Sequence, residues 1–236
     1  MITVNVIQRT FHIRYGSQSA TCFTIDFEGK QYIVTARHIF PKTTNPNEET
    51  VQILQDKAWK STVCKVVGFG SNGVDVAVLA PPVQLSRPDL PLEATMDGIA
   101  AGQDVFFLGF PFGIVPDTEL PGSTFPIPLI KKACLSGLDL PSSGPKRLFL
   151  DGHNNPGFSG GPVVFFPIRG EPGRAKVAGI ISGYRYDYEA VQMEDSGVFK
   201  DTPLVVRYNT GIIFSYSIDH AIDLIKNNPI GFELPK

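Results

Sequence analysis

Short runs of apolar and β-branched residues recur along the whole chain, each cut off by Gly, Pro, Asn or Asp. They fall at Thr10 to Tyr15, Ala20 to Phe27, Gln31 to Ala36, Val51 to Leu54, Val63 to Val67, Val74 to Leu79 and Asp104 to Leu108. Further on they fall at Lys131 to Leu135, Arg147 to Leu150, Pro162 to Phe166, Lys176 to Ile181, Leu204 to Tyr208 and Gly211 to Tyr216. Roughly a dozen short strands at this spacing predict an all-β, mainly antiparallel sandwich or barrel rather than alternating strand–helix units. The chain closes on one helix. Ser217 or Asp219 can cap it, Ile218, Ala221, Ile222 and Ile225 share a face, and Asn227-Asn228-Pro229 ends it. The segments Phe110 to Pro128 and Tyr184 to Pro203 read as long loops. Pro81, Pro82, Pro88 and Pro91 interrupt regular structure between Ala80 and Ala101, where a two-barrel split falls most naturally.

At 236 residues and 42% hydrophobic, the chain can bury a substantial core. A formal net charge of -2 and a pI near 6.1 give no electrostatic reason to expect nucleic acid or an anionic membrane as partner. The N-terminus shows no signal-peptide pattern, and no apolar run approaches membrane-spanning length. Cys22, Cys64 and Cys134 are odd in number and lack metal-ligand spacing, which argues against a disulfide framework and against zinc. The expectation is a cytoplasmic chain without cofactor or metal.

One stretch breaks the strand pattern. Asn155-Pro156-Gly157-Phe158-Ser159-Gly160-Gly161-Pro162 surrounds a serine with small and flexible residues before the apolar run Val163 to Phe166 resumes. Glycine permits positive φ and close backbone approach, so the cluster is either a tight turn or a set of peptide N–H groups aimed at one point beside a nucleophile. A serine hydroxyl is a poor nucleophile at neutral pH; it needs a base in reach, and the base needs an acceptor that fixes its tautomer. His38 stands just beyond the strand-like run Tyr32 to Ala36, where a strand delivers a side chain to a site. His12 lies inside a strand pattern and His220 on the helix. A structural histidine is the competing reading of His38. Asp75 interrupts the apolar run Val74 to Leu79. A buried aspartate there must be paired or accept several hydrogen bonds: an imidazole N–H would satisfy it, and the competing reading is an aspartate at a strand start that caps the preceding turn, Asn72-Gly73.

Taken together, Thr35-Ala36-Arg37-His38, Asp75 to Leu79 and Gly157 to Pro162 resemble the histidine, aspartate and serine boxes of the chymotrypsin-like (trypsin-fold) serine proteases, in that family's order. Gly179-Ile180-Ile181-Ser182 and Gly211-Ile212-Ile213 extend the resemblance, and Gly109-Phe110-Pro111-Phe112-Gly113 is similar to a loop of the bacterial HtrA-type branch. The resemblance implies two perpendicular six-stranded antiparallel β-barrels, about residues 1–85 and 100–216, with the site between them and a closing helix at 217–228. It implies Ser159 as nucleophile, His38 as base, Asp75 as its orienting acid, and the N–H groups of Gly157 and Ser159 as the oxyanion hole. His153, Asn154, Asn155 and Pro156 would form one wall of the specificity pocket, Ser182, Gly183 and Tyr184 the other, and Gly211 the back. The implied partner is a peptide or protein substrate that pairs with the second wall as an added strand.

Phe158 departs from the pattern, since secreted trypsin-type enzymes carry there an aspartate that pairs with a freed N-terminus. The loop must then be anchored by packing. Gly157 to Gly161 also fits the nucleophile elbow of α/β-hydrolases, but that motif needs a helix after the serine and its histidine later in the chain. Here Pro162 and a β-branched run follow. A second reading keeps the fold and changes the function: a peptide-binding domain, or one gated by a regulatory protein partner through the segment from Tyr184 to Pro203.

Overall fold

The computed structural model describes residues 2–41, 47–117, 122–168 and 174–235. After a single helical turn, α1 (Val4–Ile7), six strands follow: β1 (Thr10–Tyr15), β2 (Gln18–Phe27), β3 (Lys30–Thr35), β4 (Glu48–Gln55), β5 (Ala58–Phe69) and β6 (Ala77–Ala80). They hydrogen-bond in the order β3-β2-β1-β4-β5-β6, and pairing of β6 back onto β3 closes the ring into an antiparallel barrel. Two of its hairpins turn on two residues that both have positive φ, Glu28-Gly29 and Asp56-Lys57, the geometry that matches the twist of the flanking strands.

The second half contains β7 (Glu93–Ala94), β8 (Asp104–Gly109), β9 (Leu129–Asp139), β10 (Arg147–Asp151), β11 (Pro162–Phe165), β12 (Lys176–Asp195) and β13 (Val198–Ser217). Its order is β11-β8-β9-β10-β13-β12, and β11 pairs with β12 to complete a second ring, with β7 lying parallel along β12 outside it. The chain ends in helix α2 (Asp219–Asn227) and β14 (Phe232–Glu233), which returns to β3. Ser217 Oγ accepts the Asp219 N–H at 3.1 Å, so the serine expected near the cap satisfies one of the free donors of the first turn. At the other end Asn228 donates to the Leu224 and Ile225 carbonyls.

The alternation of inward side chains produces one core inside each ring and a third between them. The third joins Phe23, Ile25 and Val34 of the first ring to Val164, Val177 and Ile180 of the second, and the Ile218–Ala221–Ile225 face of α2 seals it. This apolar cluster and the helix therefore fix how the rings meet.

Two expectations need correction. The segment from Tyr184 to Pro203 is not a loop, because β12 and β13 continue past the barrel as one long antiparallel arm. Ser196 and Gly197, both with positive φ, form its two-residue turn, and on one face Arg207 lies 3.7 Å from the Tyr186 ring centroid. Its side chains are solvated on both faces, which removes the in/out apolar alternation by which a strand is read. For the same reason Leu204 to Tyr208 and Gly211 to Tyr216 belong to one strand, not two. The second correction concerns Asp75, which precedes β6 instead of interrupting it.

His12 lies on β1 with 2% of its surface exposed, stacked on Phe110 at 4.7 Å and edge-on to Trp59, while Nε2 meets Ser19 Oγ at 2.6 Å. Burial, with the nearby Arg14 charge, lowers its pKa from 6.5 to about 4. Between those values the unfolded chain binds a proton at His12 that the folded chain refuses, so stability falls as pH drops through that window and levels off below it. The difference corresponds to about 3 kcal/mol. Urea denaturation from pH 7 to 4 should show that loss in the wild type and a shallower slope in His12→Phe; equal slopes would refute the assignment.

Candidate active site

The site is assembled from three connections. After β3, Ala36 stays extended and the chain tightens into a 3₁₀ turn at Arg37–Ile39, which leaves His38 at the rim with 48% of its side chain exposed. Asn72 and Gly73, both at positive φ, turn the chain after β5, and Gly70 N–H bonds to the Val76 carbonyl across that turn at 2.7 Å. Asp75 is thereby carried toward His38. Its Oδ1 accepts the His38 backbone N–H at 2.8 Å, and its Oδ2 lies 2.7 Å from His38 Nδ1.

Oδ2 also accepts the Ser182 hydroxyl at 2.5 Å, a bond that reaches from the second barrel. Burial pushes the Asp75 pKa up, but the bonds and charge from His38 and the Ser182 hydroxyl outweigh it, and the carboxyl titrates below its ordinary value. An ionised carboxylate only accepts, so the hydrogen between Asp75 and the ring belongs to Nδ1. In a neutral ring the lone pair then lies on Nε2.

Ser159 comes from the glycine-rich turn. Its carbonyl accepts the Thr21 N–H at 2.9 Å, while Gly160 N–H bonds to the Ile181 carbonyl at 2.7 Å and Ile181 N–H to the Gly161 carbonyl at 2.9 Å. Both barrels thus hold the turn by its backbone. Gly157 has φ +105°, and a Cβ there would run into the backbone of Phe110, Pro111 and Phe112. Only glycine fits that approach. The Pro156 carbonyl accepts the Phe112 N–H at 2.8 Å, which turns the Gly157 N–H to the opposite side. Among the described residues neither Gly157 N–H nor Ser159 N–H has a hydrogen-bond acceptor.

Phe158, between them, is fully buried against Phe107 with ring centroids 4.9 Å apart, so the loop is anchored by packing. Ser159 Oγ donates to the Ser182 carbonyl at 3.2 Å rather than to the His38 ring.

The family profile of the trypsin-like peptidase domain matches residues 20–165, well over half of the chain. The chain belongs to that family. Solved structures agree on the fold. The HtrA-type protease AlgW with tripeptide has 17% sequence identity and a TM-score of 0.59 over 94% of this chain. The active form of the Rv3671c protease from M. tuberculosis has 19% identity and a TM-score of 0.57 over 98% of it. Deg5 has 19% identity and a TM-score of 0.55 over 93%. This chain spans 60% of the AlgW chain, 85% of the Rv3671c chain and 88% of the Deg5 chain. No curated protein matched in sequence.

In this trypsin-like peptidase domain the remaining candidate residues divide. His153 and Pro156 are exposed, Gly183 faces open space, and Tyr184 is half-buried beside it. Gly211, at φ +82°, sits over Asp151 and the Gly152 carbonyl. Asn154 has 2% exposure; its Oδ1 accepts the Asn155 N–H and its carbonyl accepts Asn209 Nδ2, so its side chain braces the wall from behind. Ser182 turns its hydroxyl to Asp75 instead of to the pocket.

Three contributors were not legible in the sequence: Thr21, whose Oγ1 donates to the Gly157 carbonyl at 2.7 Å, the Phe112 N–H, and Lys131. Thr21 and Lys131 act from strand interiors far away in the chain, and only Phe112 lay within a motif already singled out. Among the described residues no group of three or more His, Cys, Asp or Glu is placed to hold a metal ion.

Gly157→Ala should destabilise well beyond Gly29→Ala in urea denaturation. Gly29, at φ +74° with nothing near its absent Cβ, carries only the left-handed penalty of about 1 kcal/mol. Equal losses would mean that the loop yields around Gly157.

Proposed function

We propose that the chain is a serine endopeptidase working through Ser159, His38 and Asp75. The observation that carries this reading is the pair of unpaired N–H groups at Gly157 and Ser159, held open by the Pro156–Phe112 bond beside a histidine whose tautomer Asp75 sets. On substrate arrival Ser159 Oγ gives up its bond to the Ser182 carbonyl and donates to His38 Nε2; catalytic hydrogen bonds are often loose before substrate binds. Oγ then attacks the scissile carbonyl carbon as its proton passes to Nε2. The oxyanion forms facing the two N–H groups, where losing one donor costs on the order of 10² to 10³ in rate.

His38 returns the proton to the leaving amine, and water repeats the sequence on the acyl-enzyme. Asp75 stays ionised throughout and balances the charge on the imidazolium. The open edge of β12 at Ser182–Tyr184 supplies backbone groups with which the substrate pairs as an added strand.

The test is a fluorophosphonate probe, with the labelled residue mapped by mass spectrometry. Labelling at Ser159 that disappears in Ser159→Ala and falls by at least about 10³ in His38→Ala is the expected result. A folded wild type left unlabelled would overturn the reading.

A second reading, a domain gated by a regulatory protein partner, is favoured by the Ser159–Ser182 bond and by the arm. There Tyr188, Phe199, Leu204 and Val205 are all more than half exposed. Exposed apolar side chains on a projecting ribbon are a docking feature. Replacing residues 186–208 by a two-residue turn should leave stability within about 1 kcal/mol, because an isolated two-stranded ribbon contributes little. Under the endopeptidase reading, probe labelling also survives the replacement. Labelling that rises sharply would instead show that the arm restrains the site.

A further inference from the structure

The loop that presents Gly157 and Ser159 has an apolar anchor in Phe158, yet its other end, His153 to Asn155, carries polar backbone and side-chain groups that need partners. Lys131 partners two of them. Lys131, on β9, places Nζ 2.6 Å from the His153 carbonyl and 2.7 Å from Asn155 Oδ1, and 5.6 Å from the centroid of the Phe158 ring. Its neighbour Lys132 points to the opposite face of the strand, where it meets Asp104 at 2.8 Å. The period-two alternation of β9 therefore sends one of two adjacent lysines under the loop and the other to solvent.

The path from the ammonium to the oxyanion donors is short. Asn155, fixed by Lys131, accepts the Phe158 N–H with its carbonyl at 3.3 Å and so closes the four-residue turn Asn155-Pro156-Gly157-Phe158. Inside that turn lies the Pro156–Gly157 peptide, whose carbonyl is held by Phe112 and whose N–H, on the opposite side, has no acceptor among the described residues. Rotation of this one peptide would replace the donor with a carbonyl oxygen, which repels an oxyanion. Lys131 and Phe112 restrain the turn from its two sides. Burial draws the Lys131 pKa below the ordinary lysine value, as expected of a cation pressed against the loop.

We propose that Lys131 is a positioning residue: its ammonium clamps the 153–158 turn and keeps the Gly157 N–H aimed at the oxyanion. The proposal rests on the endopeptidase reading for its effect on rate, and on geometry alone for its effect on the loop. It gives the loop a half-buried cation, delivered by a strand.

Four proteins are compared: wild type, Lys131→Met, Lys131→Arg and, as the control on the other face, Lys132→Met. Circular dichroism and thermal melting establish that each is folded. On a peptide that the wild type cleaves, Lys131→Met is expected to lose kcat by about 10²-fold with KM within about threefold, the pattern of an interaction made in the transition state. Lys131→Arg, which keeps the charge and the donors, recovers most of the loss, and Lys132→Met matches the wild type.

Amide hydrogen exchange supplies a readout that needs no turnover: the Phe158 and Asn155 amides should exchange at least about tenfold faster in Lys131→Met, with the barrel strands unchanged. Unaltered exchange in the loop, or equal kcat losses in the Met and Arg variants, would overturn the clamp. A wild type that neither cleaves nor labels at Ser159 would sink the endopeptidase reading and the rate effect with it. The exchange comparison would then still decide whether Lys131 holds the turn.

Discussion

The Asp75 carboxylate is where the two halves of the molecule meet chemically. It lies between β5 and β6 of the first barrel and accepts both the ring and the backbone of His38, and its second oxygen also accepts the Ser182 hydroxyl from β12 of the second barrel. A carboxylate at 17% exposure is costly unless its lone pairs are taken up, and here three donors take them up. Those donors depress its pKa, keep it ionised and fix the imidazole with its hydrogen on Nδ1. One interaction thus joins the barrels, sets the tautomer and aims Nε2. The apolar cluster sealed by α2 holds the barrels together more broadly, but it does not choose where two particular side chains meet. The carboxylate does.

The serine turn follows a different logic, in which backbone does the positioning and side chains stay out of the way. Gly157, Gly160 and Gly161 each lie where a Cβ would strike main-chain atoms of a neighbouring segment. The close approach they allow is filled by hydrogen bonds from Thr21, Ile181 and Phe112, so the turn is held at several points by groups that belong to other elements. Two N–H groups are left over. Under the endopeptidase reading, an anionic centre forming beside the turn takes up both.

Much of this was legible in the sequence because local pattern and global role coincide. The strand runs gave the all-β class, since each alternates toward a core, and the glycines around Ser159 announced a constrained backbone because no other residue tolerates those contacts. The arm was misread because its exposed, mixed side chains carry no in/out signal, although Ser196-Gly197 is a usable turn signature. Asp75 was placed inside a strand because the apolar run begins three residues before the pairing does, with Val74 and Val76 packed into the core from the connection that leads into β6. Lys131 was invisible: a lysine on a strand is ordinarily solvated, and only the register of β9 against the loop separates it from Lys132. The pocket walls were least legible, since whether Asn154 lines a cavity or braces it depends on Asn209, more than fifty residues away in the chain.

Ser182 connects recognition to chemistry. Its hydroxyl steadies Asp75 and its carbonyl holds Ser159 Oγ, while the strand edge it opens is the one along which a peptide would add. A neutral hydrogen bond such as that from Ser159 to the carbonyl contributes about 1 kcal/mol, an amount readily exchanged for the bond to His38 Nε2. Under the endopeptidase reading, a peptide seated on β12 would compete for backbone groups in this stretch and exclude water, which would strengthen the bond to the imidazole relative to the one it replaces. Under the endopeptidase reading, the resting hydroxyl is therefore stored one rotamer away from its base, and the occupant of the strand edge is what moves it. Such a coupling needs no moving domain: a rigid barrel interface, one carboxylate and a serine with two alternative acceptors suffice.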